Sequence, residues 1–381
     1  METCYFDYNA TAPLRPEAKA AWLTAADDLW LNPSSPYRAA ARVHAYLAEA
    51  RARVASLFAV AAERVVFNSG ATEANNAIFA HWAATLPPDA GIGVSPTEHP
   101  SVLAAAQHFF GERVIWLALD GNGAVDVAAL QALLGERQIA AISVMAANNE
   151  TGVLNDWHAI ATECRAKGVP YHCDASQWIG KLPLDRLQTC DFLTGAAHKF
   201  GGPKGVGLCL IPAGNSGFMS LHGGYQEFGH RAGTEDVASI LAMVAALEGV
   251  ERGSAQGRDA FLVELGQVLP AVEVIGFAAQ RLWNTALLIM PEFASVRWIR
   301  ALEKRGFLVS AGSACSTGKQ EPSSVLAAIG VQADAMQRVL RVSSGWATSA
   351  ADWLALAAAM ADCRAELSSE ADDSTSTIIS I

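Results

Sequence analysis

Charge is scarce in this chain of 381 residues. Only 17% of them are charged, and 27 Lys and Arg face 38 Asp and Glu, a net charge of −11. Such a shortage of basic side chains argues against non-specific binding to nucleic acid or an anionic membrane, which needs Lys and Arg gathered on one face. It leaves room for a small local site for one anion. Long hydrophobic runs are also lacking: no uninterrupted apolar stretch reaches the ~18 residues of a membrane span. The opening METCYFDYNATAP has no basic segment followed by an apolar one, so no secretory signal is expected. Paired cysteines are absent too. The seven, Cys4, Cys164, Cys173, Cys190, Cys209, Cys315 and Cys363, are odd in number and show no C-x-x-C spacing. That pattern fits free thiols in a reducing, cytoplasmic compartment and not a disulfide framework. Disorder is excluded as well, because 51% of the residues are hydrophobic, enough to bury a full core.

What is present is alternation. Short apolar runs bounded by Gly, Asn, Asp or Pro occur at 64–67, 92–95, 114–118, 140–145, 169–173, 192–194 and 206–211. They read as strands of a sheet buried on both faces. Helical patterns separate them, at 36–58, 72–84, 101–110, 127–134 and 156–167, and a long one follows at 236–251. The fold class is therefore α/β, with a mostly parallel sheet. From about residue 256 the pattern becomes α+β, with strands at 286–290 and 307–309 and helices at 295–304, 323–329, 333–340 and 350–366. The expected division is a large domain over 13–255 and a small one made of 1–12 and 256–381. The Ser/Thr/Asp-rich stretch 368–381 is expected to be a frayed tail.

Five clusters could carry chemistry. Asn68-Ser69-Gly70-Ala71-Thr72-Glu73 follows a strand and opens a helix, where free N–H groups and the helix dipole favour an anion. Taken alone it reads as an ordinary helix cap. Asp174, within His172-Cys173-Asp174-Ala175-Ser176-Gln177, stands at the carboxyl end of an apolar strand, where open α/β sheets bind ligands. A carboxylate there can pair with a cationic ring nitrogen or simply cap a turn. His172 and Cys173 make a poor metal pair, because neighbours on a strand point to opposite faces. Lys199, in Ala197-His198-Lys199-Phe200-Gly201-Gly202, is a lysine among small residues after a buried strand. Desolvation would make its amine a nucleophile; a solvated lysine in a glycine turn is the plainer reading. Cys315 lies in a polar, glycine-containing stretch and is a candidate nucleophilic thiol, or an incidental loop cysteine. Arg341, flanked by Leu340 and Val342, could grip a carboxylate bidentately or lie on an edge strand. Phosphate cradle, ring-nitrogen acid, amine nucleophile and carboxylate-binding Arg are together what a pyridoxal-phosphate enzyme acting on an amino acid requires.

The sequence resembles the cysteine desulfurases of the NifS/IscS type, within the class V aminotransferases. The likeness runs from Tyr5 to about Thr348 through SGATEANN, TEHPSV, NNETGV, HCDASQWIGK, AHKFGGPKGVG, RAGTED, VSAGSACS, EPSSVL and RVSSG. It implies the fold type I architecture of pyridoxal-phosphate-dependent transferases. It implies that Lys199 holds the cofactor covalently, Asp174 pairs with its ring nitrogen, Gln177 bonds its phenolic oxygen and His99 stacks on its ring. Gly70, Ala71, Thr72 and His198 would hold the phosphate, and Thr234 would reach the phosphate of the other subunit of a homodimer. Asn149 and Arg341 would bind the carboxylate of L-cysteine. Cys315 would attack the substrate sulfur, leaving alanine and a persulfide, with His99 as proton shuttle. The long stretch around Cys315 resembles the group that hands persulfide to a sulfur-acceptor protein, such as an iron–sulfur cluster assembly scaffold.

Three residues depart from the family pattern. Ala196 replaces a Ser that contacts the phosphate, Phe228 replaces an Arg, and Tyr37 replaces a frequent His. The alternatives are another class V activity, such as a selenocysteine lyase or an aminotransferase, or a weakened desulfurase-like partner protein. Cys315 argues against simple transamination, which needs no thiol. Retention of Lys199, Asp174, His99 and Cys315 together argues against the weakened partner.

Overall fold

Apolar runs that alternate between two buried faces become the strands, and the periodic runs between them become the helices that cover those faces. The computed structural model describes residues 3–136, 138–214, 217–312 and 323–378. In chain order, β1 (Cys4–Tyr5) is followed by α1 (Pro16–Asp28), α2 (Arg38–Leu57), β2 (Val65–Asn68), α3 (Ala71–Thr85), β3 (Gly91–Val94), α4 (Pro100–Phe110) and β4 (Val114–Trp116). Then come α5 (Val127–Glu136), β5 (Ile139–Ser143), α6 (Trp157–Lys167), β6 (Tyr171–Asp174), β7 (Phe192–Ala196), β8 (Gly207–Leu210) and α7 (Val237–Glu248). The remainder is α8 (Gln256–Val268), β9 (Glu273–Val274), β10 (Thr285–Ile289), α9 (Ser295–Lys304), β11 (Phe307–Leu308), α10 (Ser324–Ala328), α11 (Ala333–Met336), β12 (Val339–Ser343) and α12 (Ala350–Ile378).

The chain divides into two compact units. The larger, Thr11–Asn148 with Leu154–Glu251, is built on a seven-stranded sheet of order β2-β8-β7-β6-β5-β3-β4. All its pairings are parallel except those made by β8. Both faces are covered. Val65, Phe67, Leu208 and Leu210 join Val54, Ile160 and Met243 in one core layer. Val66 and Cys209, one residue out of step, join Ile78, Phe79, Trp82 and Phe110 in another. The strand period of two places consecutive residues on opposite faces, so each apolar run feeds both layers. Local chemistry sets the helix ends. Asp156 caps α6 by accepting from the Ala159 N–H, and Gly168 ends it at φ 66°, a left-handed position that glycine adopts without strain.

The smaller unit comprises Met1–Ala10, Asn149–Val153 and Arg252–Ile381. It holds an antiparallel sheet of order β12-β10-β9 and the parallel pair β1-β11. Phe6, Phe261, Leu288, Trp298, Leu340, Val342, Trp353 and Met360 form its core. Asn149–Val153 was expected to lie inside the larger domain and is found with the smaller unit. Leu282 N–H donates to Gly152 O at 2.8 Å, and Gly152 packs so closely on Thr285 that a Cβ there would come within 2.8 Å of it.

Two expectations are corrected. The helix expected over 333–340 is one short turn, α11, followed by the strand β12. Val339, Leu340 and Val342 are buried there, and β12 pairs with β10 over five residues, so sheet pairing overrides local helical pattern. The expected frayed tail is helical as far as Ile378. No Gly or Pro occurs from Ala350 onward to interrupt it. No helix among the described residues is long and apolar enough to cross a membrane.

Candidate active site

Strands β2, β3, β6 and β7 run in the same direction, so their carboxyl ends share one edge of the larger sheet. That edge carries Gly70 after β2, His99 after β3, Asp174 at the end of β6, and His198 and Lys199 just after β7. Ligands of open α/β sheets bind at this edge.

The start of α3 carries no side-chain cap. Gly70 is its N-cap with φ 135°, a conformation other residues rarely adopt, and no side chain caps the helix. The Ser69 N–H, which precedes the cap, is taken by Glu73 Oε2 at 2.9 Å, and the Gly70 N–H by Asn68 Oδ1 at 2.8 Å. Gly70 offers no side-chain oxygen to the following first-turn N–H groups, at Ala71 and Thr72, which stand at the positive end of the helix dipole. Gly207 packs beneath: a Cβ there would lie 2.6 Å from Gly70 Cα and 2.5 Å from Gly195 O. Glu73 is fixed in turn by Arg231 at 3.1 Å and Ser220 at 2.7 Å. Burial alone would raise the Glu73 carboxyl, but Arg231, Ser69 and Ser220 outweigh it and bring it down to about 2.

Asp174 is buried at the end of β6. Its Oδ1 accepts from the Ser176 N–H and its Oδ2 from Asn75 Nδ2, both at 2.9 Å. Gln177, in the turn that follows, accepts from the buried amine of Lys181 through Oε1.

His99 caps α4, with Pro100 at the first helical position. Burial lowers its pKa; Asp174 raises it and Lys199 lowers it, so the three sense one another. His198 is pulled down to about 4 by burial, then by Lys199, Lys204 and His99. Its Nδ1 lies 3.2 Å from Thr11 Oγ1. The structure thus gathers His99, Asp174, His198 and Lys199. Thr234 is exposed and lines a cavity of about 160 Å³ with Phe67, Ser69, Gly205, Glu227 and Arg231.

The smaller unit holds the two expected carboxylate binders. Arg341, on β12, is almost fully buried. Its Nη1 donates to the backbone oxygens of Asn149 at 3.0 Å and Gly312 at 2.9 Å, and its Nη2 to Asp7 Oδ1 at 2.6 Å. Its Nε–H has no partner among the described residues. A guanidinium held this way keeps a donor on the edge that forks onto a carboxylate. Beside Asn149, buried Glu150 accepts from Ser323 Oγ at 2.7 Å, and burial raises its pKa. Cys315 lies outside the described residues; the six described cysteines are all free thiols.

The departures have local settings. Ala196 is the buried last residue of β7, opposite Gly207. Tyr37 is exposed at the N-cap of α2. Phe228 lies 5.0 Å from the Arg51 guanidinium, whose other aromatic neighbour, Phe67, is at 4.7 Å. Arg51 also forms a buried, two-pronged pair with Glu227 at 2.6 and 2.7 Å. Glu227 and Phe228 both have positive φ, 49° and 57°, and the ion pair and the ring stacking hold them there. An Arg at 228 would face a second guanidinium.

Sequence reasoning missed Asn75, Glu98, Ser101, Lys181 and Thr194. Glu98 is fully buried, accepts from the Met145 N–H and is pushed well up by burial and by Asp174. Only its place between Thr97 and His99 in TEHPSV hinted at it. Asn75 lay in plain view within SGATEANN.

The family described as aminotransferase class-V matches residues 4–356. A protein of Klebsiella pneumoniae named cysteine desulfurase is 35% identical over 362 residues, covering 90% of this chain and 88% of that one. A solved NifS-like protein superposes with TM-score 0.86 at 26% identity, covering 95% of this chain and 99% of its own. A structure of SspA in complex with cysteine gives TM-score 0.80 at 26% identity, covering 90% of this chain and 98% of its own.

Proposed function

The chain belongs to the class-V aminotransferase family, and from that premise we propose that it is a pyridoxal-phosphate-dependent cysteine desulfurase. L-cysteine and an enzyme thiol give L-alanine and an enzyme persulfide. The observation that carries the reading is the sheet edge where Asp174, His99, His198 and Lys199 gather beside the uncapped start of α3. The relative named cysteine desulfurase and the SspA complex with cysteine support this choice within the family.

The residues fit the cofactor. The Gly70 and Gly207 backbones leave a cradle without Cβ atoms, and the first-turn N–H groups of Ala71 and Thr72 suit a phosphate, with His198 beside it. Buried Asp174, steadied by Asn75 and Ser176, suits a protonated ring nitrogen. Gln177 offers an amide N–H to the phenolic oxygen, and Lys199 is the covalent anchor. When bound, the group supplies an electron sink for the substrate. Arg341 and Asn149 hold the substrate carboxylate, and His99 faces the ring and moves protons. The Cys315 thiolate attacks the substrate sulfur, forming the S–S bond as the C–S bond breaks. We further propose a cytoplasmic homodimer in which Thr234 reaches the partner's phosphate, passing its sulfur to an acceptor protein, such as an iron–sulfur scaffold. It needs neither nucleic acid nor membrane.

The test is one assay with L-cysteine and dithiothreitol. Wild type is expected to release sulfide and alanine in equal amounts. Lys199→Ala should lose the cofactor absorbance and both products. Cys315→Ala should keep the absorbance and lose sulfide. Equal sulfide from wild type and Cys315→Ala would overturn the persulfide step, and a wild-type protein that takes up no pyridoxal phosphate would overturn the reading itself.

A further inference from the structure

Asn75 lies in α3, fully buried, with its side-chain amide bonded to three other elements. Nδ2 donates to Asp174 Oδ2 and to Ser101 Oγ, each at 2.9 Å, and Oδ1 accepts from Thr194 Oγ1 at 2.9 Å. An amide has two N–H donors and one carbonyl. Both donors are used, and the flipped orientation would turn the carbonyl oxygen onto the Asp174 carboxylate. The orientation of Asn75 is thus decided by its partners.

The same logic runs outward. Ser101 Oγ accepts from Asn75, so its own proton is available for His99 Nδ1, 2.8 Å away. The Ser101 backbone N–H donates to that same nitrogen at 3.1 Å. A ring nitrogen that receives two donors carries no proton, so neutral His99 keeps its proton on Nε2. On the other side Thr194 gives its proton to Asn75. His172 Nε2–H is then the donor to Thr194 Oγ1 at 3.4 Å, and its Nδ1 accepts from Ser143 Oγ at 2.9 Å. One amide therefore ties the buried acid to the histidine cap of α4.

We propose that Asn75 is a positioning residue that fixes the Asp174 carboxylate and, through Ser101, sets His99 with its proton on Nε2. The inference rests on the roles proposed for Asp174 and His99, and Asn75 itself touches no reacting atom. It makes His99 a hydrogen-bond donor at Nε2 before any chemistry begins.

The experiment is long-range ¹H–¹⁵N NMR of the full chain, with and without pyridoxal phosphate, carrying ring-labelled histidine. The His99 signal is assigned by its loss in His99→Gln. Wild type should show the Nε2–H tautomer. Ser101→Ala and Asn75→Ala should each shift His99 at most part of the way toward a mixture of tautomers, because the Ser101 backbone N–H stays on Nδ1. Asn75→Ala should also weaken pyridoxal phosphate binding by about tenfold or more, the worth of one hydrogen bond to a charged group. In cysteine turnover its kcat should fall while KM stays within about twofold, because the carboxylate binders are untouched. A wild-type His99 with its proton on Nδ1, or a folded Asn75→Ala chain that binds pyridoxal phosphate as tightly as wild type, overturns the proposal. The tautomer is readable in a chain that takes up no cofactor, so failure of the functional reading and failure of this inference give different results.

Discussion

Asp7 and Arg341 are 334 residues apart in sequence and meet in the smaller unit, with Oδ1 at 2.6 Å from Nη2. The N-terminal segment thus supplies the counter-ion for a buried guanidinium. Removing one partner of a buried ion pair costs ~3–5 kcal/mol, because the other charge is left without compensation. Asp7→Ala should lower the free energy of unfolding by about that amount, measured by urea titration. Arg341→Lys keeps the charge but loses the planar fork. Its KM for L-cysteine should rise about tenfold or more, while the cofactor absorbance is retained. An unchanged KM would remove Arg341 from the substrate site.

Gly207 is where the sheet and the start of α3 come closest. A Cβ at this position would meet Gly195 O at 2.5 Å, Gly70 Cα at 2.6 Å and Asn68 Oδ1 at 2.9 Å. Two of these are backbone atoms, which cannot rotate away. Gly207→Ala should destabilise the protein by about 3 kcal/mol, at the upper end for overpacking. It should also loosen the α3 N-terminus and so shed pyridoxal phosphate on dialysis. A variant with wild-type stability and full cofactor content would show that the cradle is not tightly packed.

Much of this arrangement is legible in the residues, for a physical reason. The strand runs 64–67, 92–95, 192–194 and 206–211 are apolar on both faces, and the structure puts strands at each. Asp174, Lys199 and Gly70 are conspicuous because polar or small residues follow directly on such runs. Asn75, Thr194 and Ser101 are not, because a buried polar residue looks like a surface one until its partners are known. Their bonds join α3, β7 and α4, which are far apart in sequence. β12 was hidden by the helical spacing of residues 333–340, and its pairing with β10 is a non-local fact. The place of Asn149–Val153 in the smaller unit is likewise decided by contacts with Arg281, Leu282 and Thr285.

Ala196 ends β7 one residue before the turn that carries His198 and Lys199. If the phosphate lies at the start of α3, Ala196→Ser adds a hydroxyl of little volume close by. A hydrogen bond to a charged group contributes ~1.5–3 kcal/mol, so pyridoxal phosphate affinity should improve by about tenfold or more. Fluorescence titration of the cofactor-free protein measures it. Equal or weaker affinity would mean that the position does not face the phosphate.

Acid should destabilise the protein in two stages. Burial lowers His172 from 6.5 to about 4. Between those values the unfolded chain binds a proton that the folded chain refuses, so stability falls as pH drops through that window. At 1.36 kcal/mol per pH unit, His172 alone contributes on the order of 3 kcal/mol. Below it Glu73 takes over. Its carboxyl is lowered from 4.5 to about 2, chiefly by Arg231 against the opposing effect of burial. The stability it contributes is fully present above the unfolded pKa and is lost as pH falls from about 4.5 toward about 2. Urea titrations across the acid range should therefore show a steady decline with no plateau. His172→Gln should flatten the upper stage and Glu73→Gln the lower one. If His172→Gln leaves the slope between about pH 6.5 and about 4 unchanged, other groups carry that stage, with His198 the first to examine because it is lowered over the same range.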